Sequence, residues 1–249
     1  MDNWKYYDII HRYHAIMNPV DEAKLDLLFD LLRLGPKSKI IDIGSGKGEM
    51  LIRLAEKYSV KGIGIDKSPY SIRDAEKRKK ERLPGADLKF LEMDGASYKP
   101  DEGQLADLSM CIGASWIYDG YRNTIRALSR MTKPLGYVMS GEPYWRKEPP
   151  EEYLKVEAFP KSLFDTHVGN ATSGEKEGLR LIYTLDSSEE SWDRYEGLHW
   201  YAADKFAASN PDDPDLEELL KRVSKFKESY LKWGRECLGW AIYLFRKTF

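Results

Sequence analysis

The chain has 249 residues, of which 42% are hydrophobic and 32% charged, so it can bury a substantial core and is neither disordered nor of low complexity. Its 39 Lys and Arg residues against 41 Asp and Glu give a net charge of −2, which offers little attraction for a nucleic acid or an anionic membrane. Because it has only two cysteines, no signal-peptide pattern at the N-terminus and no long apolar run, we expect a cytoplasmic protein that does not bind a membrane.

A helix followed by an alternation of strands and helices is predicted for the first half of the chain. Apolar residues at helical spacing predict a helix over 21–34, which Gly35-Pro36 ends. The elements that follow are strands at 39–43, 60–66, 88–93, 106–112 and 135–141, with helices at 49–58, 69–83 and 121–131. This alternation predicts a parallel sheet with helices on both faces.

The second half departs from that alternation. Residues 147–178 are rich in turns, and four further elements follow: a sixth strand, an aromatic-rich helix, a second helix and a terminal apolar strand, at 179–185, 189–208, 215–233 and 239–245. We expect the terminal strand to pair antiparallel at a sheet edge. The predicted fold is α/β, with a seven-stranded, mostly parallel sheet, helices on both faces, an antiparallel last strand and an aromatic-rich helical cap.

The most informative stretch is a glycine-rich turn after the first strand. Residues 44–48 read G-x-G-x-G, whereas a nicotinamide-dinucleotide turn reads G-x-G-x-x-G, so the spacing disfavours a dehydrogenase. Glycines let a ligand approach the backbone, and the following helix presents free N–H groups. Asp66 ends the second strand, 22 residues after Gly44, where an acid can accept both hydroxyls of a ribose. With Asp94 after the third strand and Gly113-Ala114 after the fourth, four successive strand ends form one predicted ligand site.

These motifs resemble those of the class I, Rossmann-like S-adenosylmethionine-dependent methyltransferases over residues 38–140. The last two predicted strands fit the seven-stranded sheet of that family, whose last strand is antiparallel. Segments 141–146, 192–196 and 235–240, with the sequences G-E-P-Y-W-R, W-D-R-Y-E and R-E-C-L-G-W, resemble a subgroup of small prokaryotic methyltransferases. The resemblance implies S-adenosylmethionine as the cofactor, and we predict no metal site.

The resemblance also implies a role for each motif residue. Those expected around the methionine part of the cofactor are Asp42, Gly44, Ser45 and Gly46. Asp66, with Lys67 beside it, would bind the ribose hydroxyls, Asp94 and Gly95 would lie near the adenine, and Ile112 and Gly113 would line the cofactor at the fourth strand. We expect one methyltransferase domain, with residues 1–34 as a helical cover, 35–143 as the cofactor-binding core, 144–235 as a cap insert containing the sixth strand and 236–249 as the terminal strand.

The position of the tryptophans predicts where the methyl acceptor binds. None of the seven lies within residues 5–115, which form most of the predicted cofactor-binding half. Spacing places residues 192, 195 and 199 on one face of the helix predicted at 189–208, and we interpret this helix as a lid. The expected substrate-binding residues are Trp116, Tyr144, Trp145, Trp192 and Tyr195. Ordinary packing of an amphipathic helix is the alternative.

Glu142 is the first candidate for a catalytic residue. It is predicted to end the fifth strand, where Pro143 should stop the hydrogen-bonding ladder, and its aromatic surroundings should raise its pKa toward neutrality. An ion pair with Arg146 is the alternative. His14 and His199 are further catalytic candidates, since both lie in aromatic segments expected to cover the site, although either could be a packing residue.

The predicted function is methyl transfer from S-adenosylmethionine to a small-molecule acceptor enclosed under the lid, without a nucleic-acid partner. The alternatives are an RNA, DNA or protein methyltransferase and a cofactor-binding sensor without activity. Enzymes that methylate amino groups of bases usually carry an Asp/Asn-Pro-Pro-aromatic turn after the fourth strand, whereas residues 113–116 here read G-A-S-W.

Overall fold

The computed structural model describes residues 1–101 and 103–248, which form a three-layer α/β fold around one sheet. The strands are β1 (Lys39–Ile43), β2 (Lys61–Asp66), β3 (Leu88–Glu92), β4 (Ala106–Ile112), β5 (Thr132–Trp145), β6 (Leu179–Asp186) and β7 (Leu238–Lys247). Their order in the sheet is β3-β2-β1-β4-β5-β7-β6, and β7 runs antiparallel to both of its neighbours. The predicted seven-stranded, mostly parallel sheet with an antiparallel last strand is therefore confirmed. The edge position expected for β7 is wrong, because β7 lies between β5 and β6.

β5 is twice as long as the predicted fifth strand, and Pro143 does not end it. The pairing of β4 with β5 stops at Gly141, whereas β5 continues beside β7 as far as Trp145. The side-chain amide of Asn170 donates to the Pro143 carbonyl at 3.1 Å, so this edge of the proline faces away from β7. The nitrogen of Pro143, which carries no hydrogen, points the same way, toward the side of β5 where the pairing with β4 has already ended. The missing N–H therefore removes no hydrogen bond between β5 and β7.

Helices cover both faces of the sheet. Successive side chains of a strand point to opposite faces. Ile40 packs with α2 (Glu22–Asp30), α3 (Glu49–Tyr58) and α4 (Pro69–Arg82), whereas Ile41 packs with α5 (Tyr121–Met131). The apolar stripes of these helices supply the rest of the two clusters, as the alternation of elements predicted.

The remaining helices come from the N-terminal segment and from the second half of the chain. They are α1 (Asn3–Ile10), α6 (Glu151–Glu157), α7 (His167–Thr172), α8 (Glu189–Ser209), α9 (Leu216–Ser229) and α10 (Arg235–Cys237). The helix predicted over 215–233 ends earlier, because Tyr230–Gly234 is wound more loosely as a π-helical turn. Apolar residues of α1 pack with those of α8 and α9. No helix of the described residues is long and apolar enough to span a bilayer.

Candidate active site

The glycine-rich turn joins β1 to α3 at the carboxyl edge of the sheet. The backbone N–H groups of Gly44 and Ser45 donate to the Ile65 carbonyl at 2.8 and 2.9 Å, which fixes the turn against the end of β2. Gly44 has a φ of +70°, and a Cβ there would lie 2.7 Å from the Cβ of Ala114. Only glycine combines that backbone conformation with so close an approach to the segment that follows β4.

Two carboxyls lie at the same edge, the buried Asp42 and the half-buried Asp66. Asp66 Oδ2 accepts from Gly46 N and Oδ1 from Ser68 N, both at 2.8 Å, so the carboxylate joins the glycine-rich turn to the start of α4. Burial raises the pKa of Asp66 despite these backbone hydrogen bonds, and burial together with the charge of Asp66 raises the pKa of Asp42 to about 8. The Ser45 hydroxyl is buried and lacks a hydrogen-bond partner among the described residues. Buried acceptors of this kind fit a ligand that brings positive charge and hydrogen-bond donors.

Asp94 and Lys67 lie in the turns that follow β3 and β2. Asp94 accepts from Ala96 N at 3.0 Å and lies 3.4 Å from the Lys67 ammonium, and these two contacts lower its pKa. Gly95 is buried, and a Cβ there would lie 3.2 Å from the side chain of Ile117. Ile117 comes similarly close to Gly44. It thus connects the first and third strand ends, and its place between two aromatic residues in the sequence had given no signal of this.

The end of β4 is covered by the segment between α1 and α2. Asn18 donates its side-chain amide to the Ile112 carbonyl at 3.1 Å, and its amide oxygen occupies the space where Gly113 would carry a Cβ. On the glycine-rich turn, a Cβ at Gly46 would lie 3.2 Å from the sulfur of Met17. We call residues 11–20 the N-terminal cover. It lies directly on the turns predicted to bind the cofactor.

Two cations hold the N-terminal cover in place. Lys47 is buried within the glycine-rich turn and donates to the His11 carbonyl at 2.8 Å. Arg78, on α4, donates to the Ala15 carbonyl at 3.0 Å and bonds Glu49 at 2.7 Å. Burial lowers the pKa of Lys47, although the Asp74 carboxylate, 3.6 Å from its ammonium, opposes this shift. Neither cation was predicted from the sequence, because the carbonyls of the N-terminal cover that they bind lie more than 35 residues away along the chain.

Glu142 is a buried carboxyl on β5 with one polar side-chain partner. It is 3% exposed, and the Ser115 hydroxyl, from the turn after β4, donates to its Oε1 at 2.8 Å. Burial raises its pKa to about 8, although the Ser115 hydrogen bond opposes the rise. Arg146 bonds Asp186 and the Ser187 carbonyl instead. Trp116, beside Ser115, is 72% exposed. A buried protonatable group is thus hydrogen-bonded to the residue that precedes an exposed tryptophan.

The predicted substrate-binding aromatics do not form one wall. Tyr144 donates to Asp186 Oδ1 at 2.6 Å and packs on the same face of the sheet as α5, and the Trp145 indole donates to the Lys161 carbonyl at 2.8 Å. Trp192 and Tyr195 of α8 pack in the cluster on the opposite face. Tyr144 and the aromatic side of α8 therefore pack on opposite faces of the sheet, whereas one substrate site lined by both had been predicted.

α8 instead meets the N-terminal cover. The Tyr195 hydroxyl donates to the Met17 carbonyl at 3.4 Å, and the rings of His14 and Tyr195 lie edge to face with centroids 4.9 Å apart. His199 joins them, with its ring centroid 4.5 Å from that of Tyr195. His11, which was not among the predicted site residues, completes the group; His11 and His14 are buried, and His199 is partly buried. The residues predicted to be catalytic thus fall into two groups, Glu142 on β5 and the histidines under α8.

Comparison with known proteins gives one consistent result. The family model of a methyltransferase domain matches residues 40–136. The Escherichia coli protein YjhP is 32% identical over 245 residues, which cover 98% of each chain, and its crystal structure superposes with a TM-score of 0.89. A SAM-dependent methyltransferase from Thiobacillus denitrificans, in complex with S-adenosyl-L-homocysteine, is 33% identical with a TM-score of 0.89, covering 98% of this chain and 99% of that one.

A similar enzyme from Geobacter sulfurreducens, also in complex with S-adenosyl-L-homocysteine, is 31% identical with a TM-score of 0.89, and the match covers 97% of both chains. Both solved complexes share the whole fold, including the segments outside the cofactor-binding core. The glycine-rich turn and the acid after β2 are the motifs expected of this family, and the full-length matches point to the same family. The chain belongs to the family of SAM-dependent methyltransferases.

Proposed function

We propose that this methyltransferase transfers the methyl group of S-adenosylmethionine to a small-molecule acceptor that binds at the carboxyl ends of β4 and β5. The observation that carries the proposal is the buried Glu142 carboxyl, which is hydrogen-bonded to Ser115, the residue that precedes the exposed Trp116. A group that can take a proton near neutral pH beside an exposed aromatic side chain suits a small acceptor.

The donor would be held by the residues of the first four strand ends. Asp42 and the unpartnered Ser45 hydroxyl are acceptors for its amino group, next to Gly44 and Gly46, where the backbone can approach it closely. Asp66 retains lone pairs for the ribose hydroxyls. Lys67 would lie beside Asp66 at the ribose, Asp94 and Gly95 near the adenine, and Ile112 and Gly113 along the cofactor at the end of β4.

When bound, the cofactor supplies an electrophilic methyl group on a sulfonium, and this chain aligns the acceptor and manages its proton. Glu142 in its carboxylate form accepts the proton that the acceptor loses, with Ser115 holding the carboxyl in place. His14 is a poor alternative, because burial lowers its pKa to about 3 and leaves a very weak base. His199 is engaged with Glu196 and His11, so Glu142 is the preferred base.

The aromatic residues divide between two roles in this proposal. Trp116 forms the open wall of the acceptor site, with Tyr144 below it on the same side of β5 as Glu142. Trp145 supports that wall through its hydrogen bond to Lys161. Trp192 and Tyr195 act on the N-terminal cover, so the aromatic lid closes over the donor and borders the acceptor only at its rim.

The test is a screen of small acceptors, RNA, DNA and protein substrates with radiolabelled S-adenosylmethionine. We expect label transfer to a small molecule, and Glu142→Gln should lower kcat by about 10²–10⁴-fold with unchanged affinity for S-adenosylhomocysteine. Glu151→Gln is the matched control, because that side chain is 91% exposed and should not affect the rate. Preferential transfer to a nucleic acid or a protein would overturn the acceptor class, and full activity of Glu142→Gln would overturn its role as base.

A further inference from the structure

Three of the four histidines of the chain meet where the N-terminal cover contacts α8. His11 and His14 come from the cover and His199 from α8, and one ring nitrogen of each lies within 4.8 Å of the others. Nε2 of His199 is 3.2 Å from Nδ1 of His11. His11 and His14 are each 5% exposed and the His199 side chain is 12% exposed, so water reaches the site mainly from the α8 side.

The hydrogen bonds around the cluster fix which ring nitrogens are free. Nε2 of His14 lies 3.0 Å from the Tyr195 carbonyl, which can only accept, so this nitrogen carries the proton. The Nδ1 of His14 is therefore a lone-pair donor, and it is buried without a partner among the residues described. In the same way, Nδ1 of His199 faces Glu196 at 3.4 Å, which leaves the lone pair on Nε2. Ligand histidines of metal sites use the same outer partners, a backbone carbonyl and a carboxylate.

We propose that His11, His14 and His199 bind a divalent transition-metal ion of the Zn²⁺ type, with a fourth position left for water. Tetrahedral Zn²⁺ with Zn–N bonds of about 2.0–2.1 Å requires ligand nitrogens roughly 3.3 Å apart. The pair His199 and His11 already meets this spacing, and the ligand nitrogens of the cluster lie within 4.8 Å of one another, so binding needs the cluster to contract slightly around the ion. The proton of His11 Nδ1 moves to its Nε2 when the metal binds.

The protonation state of the cluster favours a cation. Burial, followed by the neighbouring histidines, lowers the pKa of His11 and lowers that of His14 to about 3, so both rings are neutral at physiological pH. A metal therefore does not compete with protons for these nitrogens. Without a cation, the orphaned nitrogen of His14 remains desolvated and unpaired, which is unfavourable.

The position of the cluster gives the metal a structural consequence. It would join residues 11 and 14 to α8, and the His11 carbonyl already accepts from Lys47 of the glycine-rich turn. A bound ion would therefore hold the N-terminal cover closed on the turns that bind the donor. This site is distinct from Glu142 and does not depend on which acceptor is methylated.

The test uses the full-length, tag-free protein, stripped with a chelator and dialysed against ZnCl₂ or CoCl₂. We expect one metal ion per chain by mass spectrometry of the bound metal, a visible Co²⁺ spectrum typical of four or five ligands, and a higher Tm with Zn²⁺. His14→Gln and His199→Gln should bind at least about 100-fold more weakly, since loss of even an outer partner costs 10–100-fold. His167→Gln, which alters the one histidine outside the cluster, should bind as the wild type does.

A second measurement needs no variant and so does not depend on their folding. In imidazole ¹⁵N spectra of the wild-type chain, three of the four rings should shift on addition of Zn²⁺. Substoichiometric binding, equal binding by all variants, or a shift of only the His167 ring would each overturn the proposal and identify adventitious surface binding.

Discussion

The titration of Glu142 should be visible in the stability of the folded protein before any acceptor is known. The pKa of this carboxyl is about 8 in the folded chain, against 4.5 for an exposed glutamate. The folded state therefore keeps a proton that the unfolded chain releases in this interval. The contribution of the group to stability is complete below pH 4.5 and is lost as the pH rises toward 8.

The expected size of this effect follows from the two pKa values. Each pKa unit corresponds to about 1.4 kcal/mol, so the whole interval is worth up to about 5 kcal/mol, and the part between pH 5 and pH 7 about 3 kcal/mol. Glu142→Gln is uncharged at every pH and keeps an oxygen for the Ser115 hydroxyl. Relative to this variant, the wild-type protein should therefore lose about 3 kcal/mol of unfolding free energy between pH 5 and pH 7.

Urea denaturation of both proteins at a series of pH values measures this difference, because titrations elsewhere in the chain cancel in the comparison. Ser115→Ala is the informative control. It removes the hydrogen bond that lowers the pKa of Glu142, so the loss of stability should extend to higher pH. Once an acceptor is identified, the pH dependence of kcat/KM should rise through the same pKa. Parallel stability curves of wild type and Glu142→Gln would refute the desolvation of this carboxyl.

Three further outcomes are expected. Asp66→Ala should weaken S-adenosylhomocysteine binding at least about 100-fold in calorimetry, since two charge-assisted hydrogen bonds of about 1.5–3 kcal/mol each are lost; unchanged affinity in a folded variant would contradict the ribose assignment. Residues 1–20 and 188–209 should exchange amide hydrogens more slowly with S-adenosylhomocysteine bound, and equal protection with and without ligand would exclude a moving lid. Gly44→Ala should lower the unfolding free energy by about 1–3 kcal/mol because of its positive φ and the nearby Ala114, whereas Gly85→Ala, with open space around it, should have little effect; equal losses would refute the steric argument.

The cofactor half of the fold was predictable because its signals are local. β1 is a short apolar run between a turn and a glycine, and the prediction for 39–43 matches the structure. Such runs are typical of buried parallel strands. The extent of β5 was not predictable, because Pro143 reads as a stop unless the position of Asn170, 27 residues later, is known. A proline fits within a strand only where its nitrogen faces no neighbouring strand, and the order of the strands in the sheet determines where this is so.

The candidate site was likewise predictable where its residues belong to local motifs, and not where they come from distant segments. Asp66 and the glycines are recognisable from spacing after a strand, and the structure brings them together at the predicted edge. The partnership of His11 with His199 spans 188 residues, and neither lies in a motif. The contact between Lys47 and His11 was hidden for the same reason. Spacing indicates which residues share an element, whereas only the fold shows which elements meet.

The docking of α1 has a consequence for the order in which the protein acquires its structure during synthesis. Lys5 pairs with Asp213 and Asp215, and the N-terminal ammonium of Met1 pairs with Glu218, so these residues find partners that are synthesised more than 200 positions later. The central sheet as far as β5 can assemble while these partners are still being made. The ion pairs of α1 must therefore wait until α9 has been made, whereas the contacts of the N-terminal cover with Lys47, Arg78 and Ile112 can form much earlier. The N-terminal segment is thus attached to the protein in two stages, first residues 11–20 and then α1.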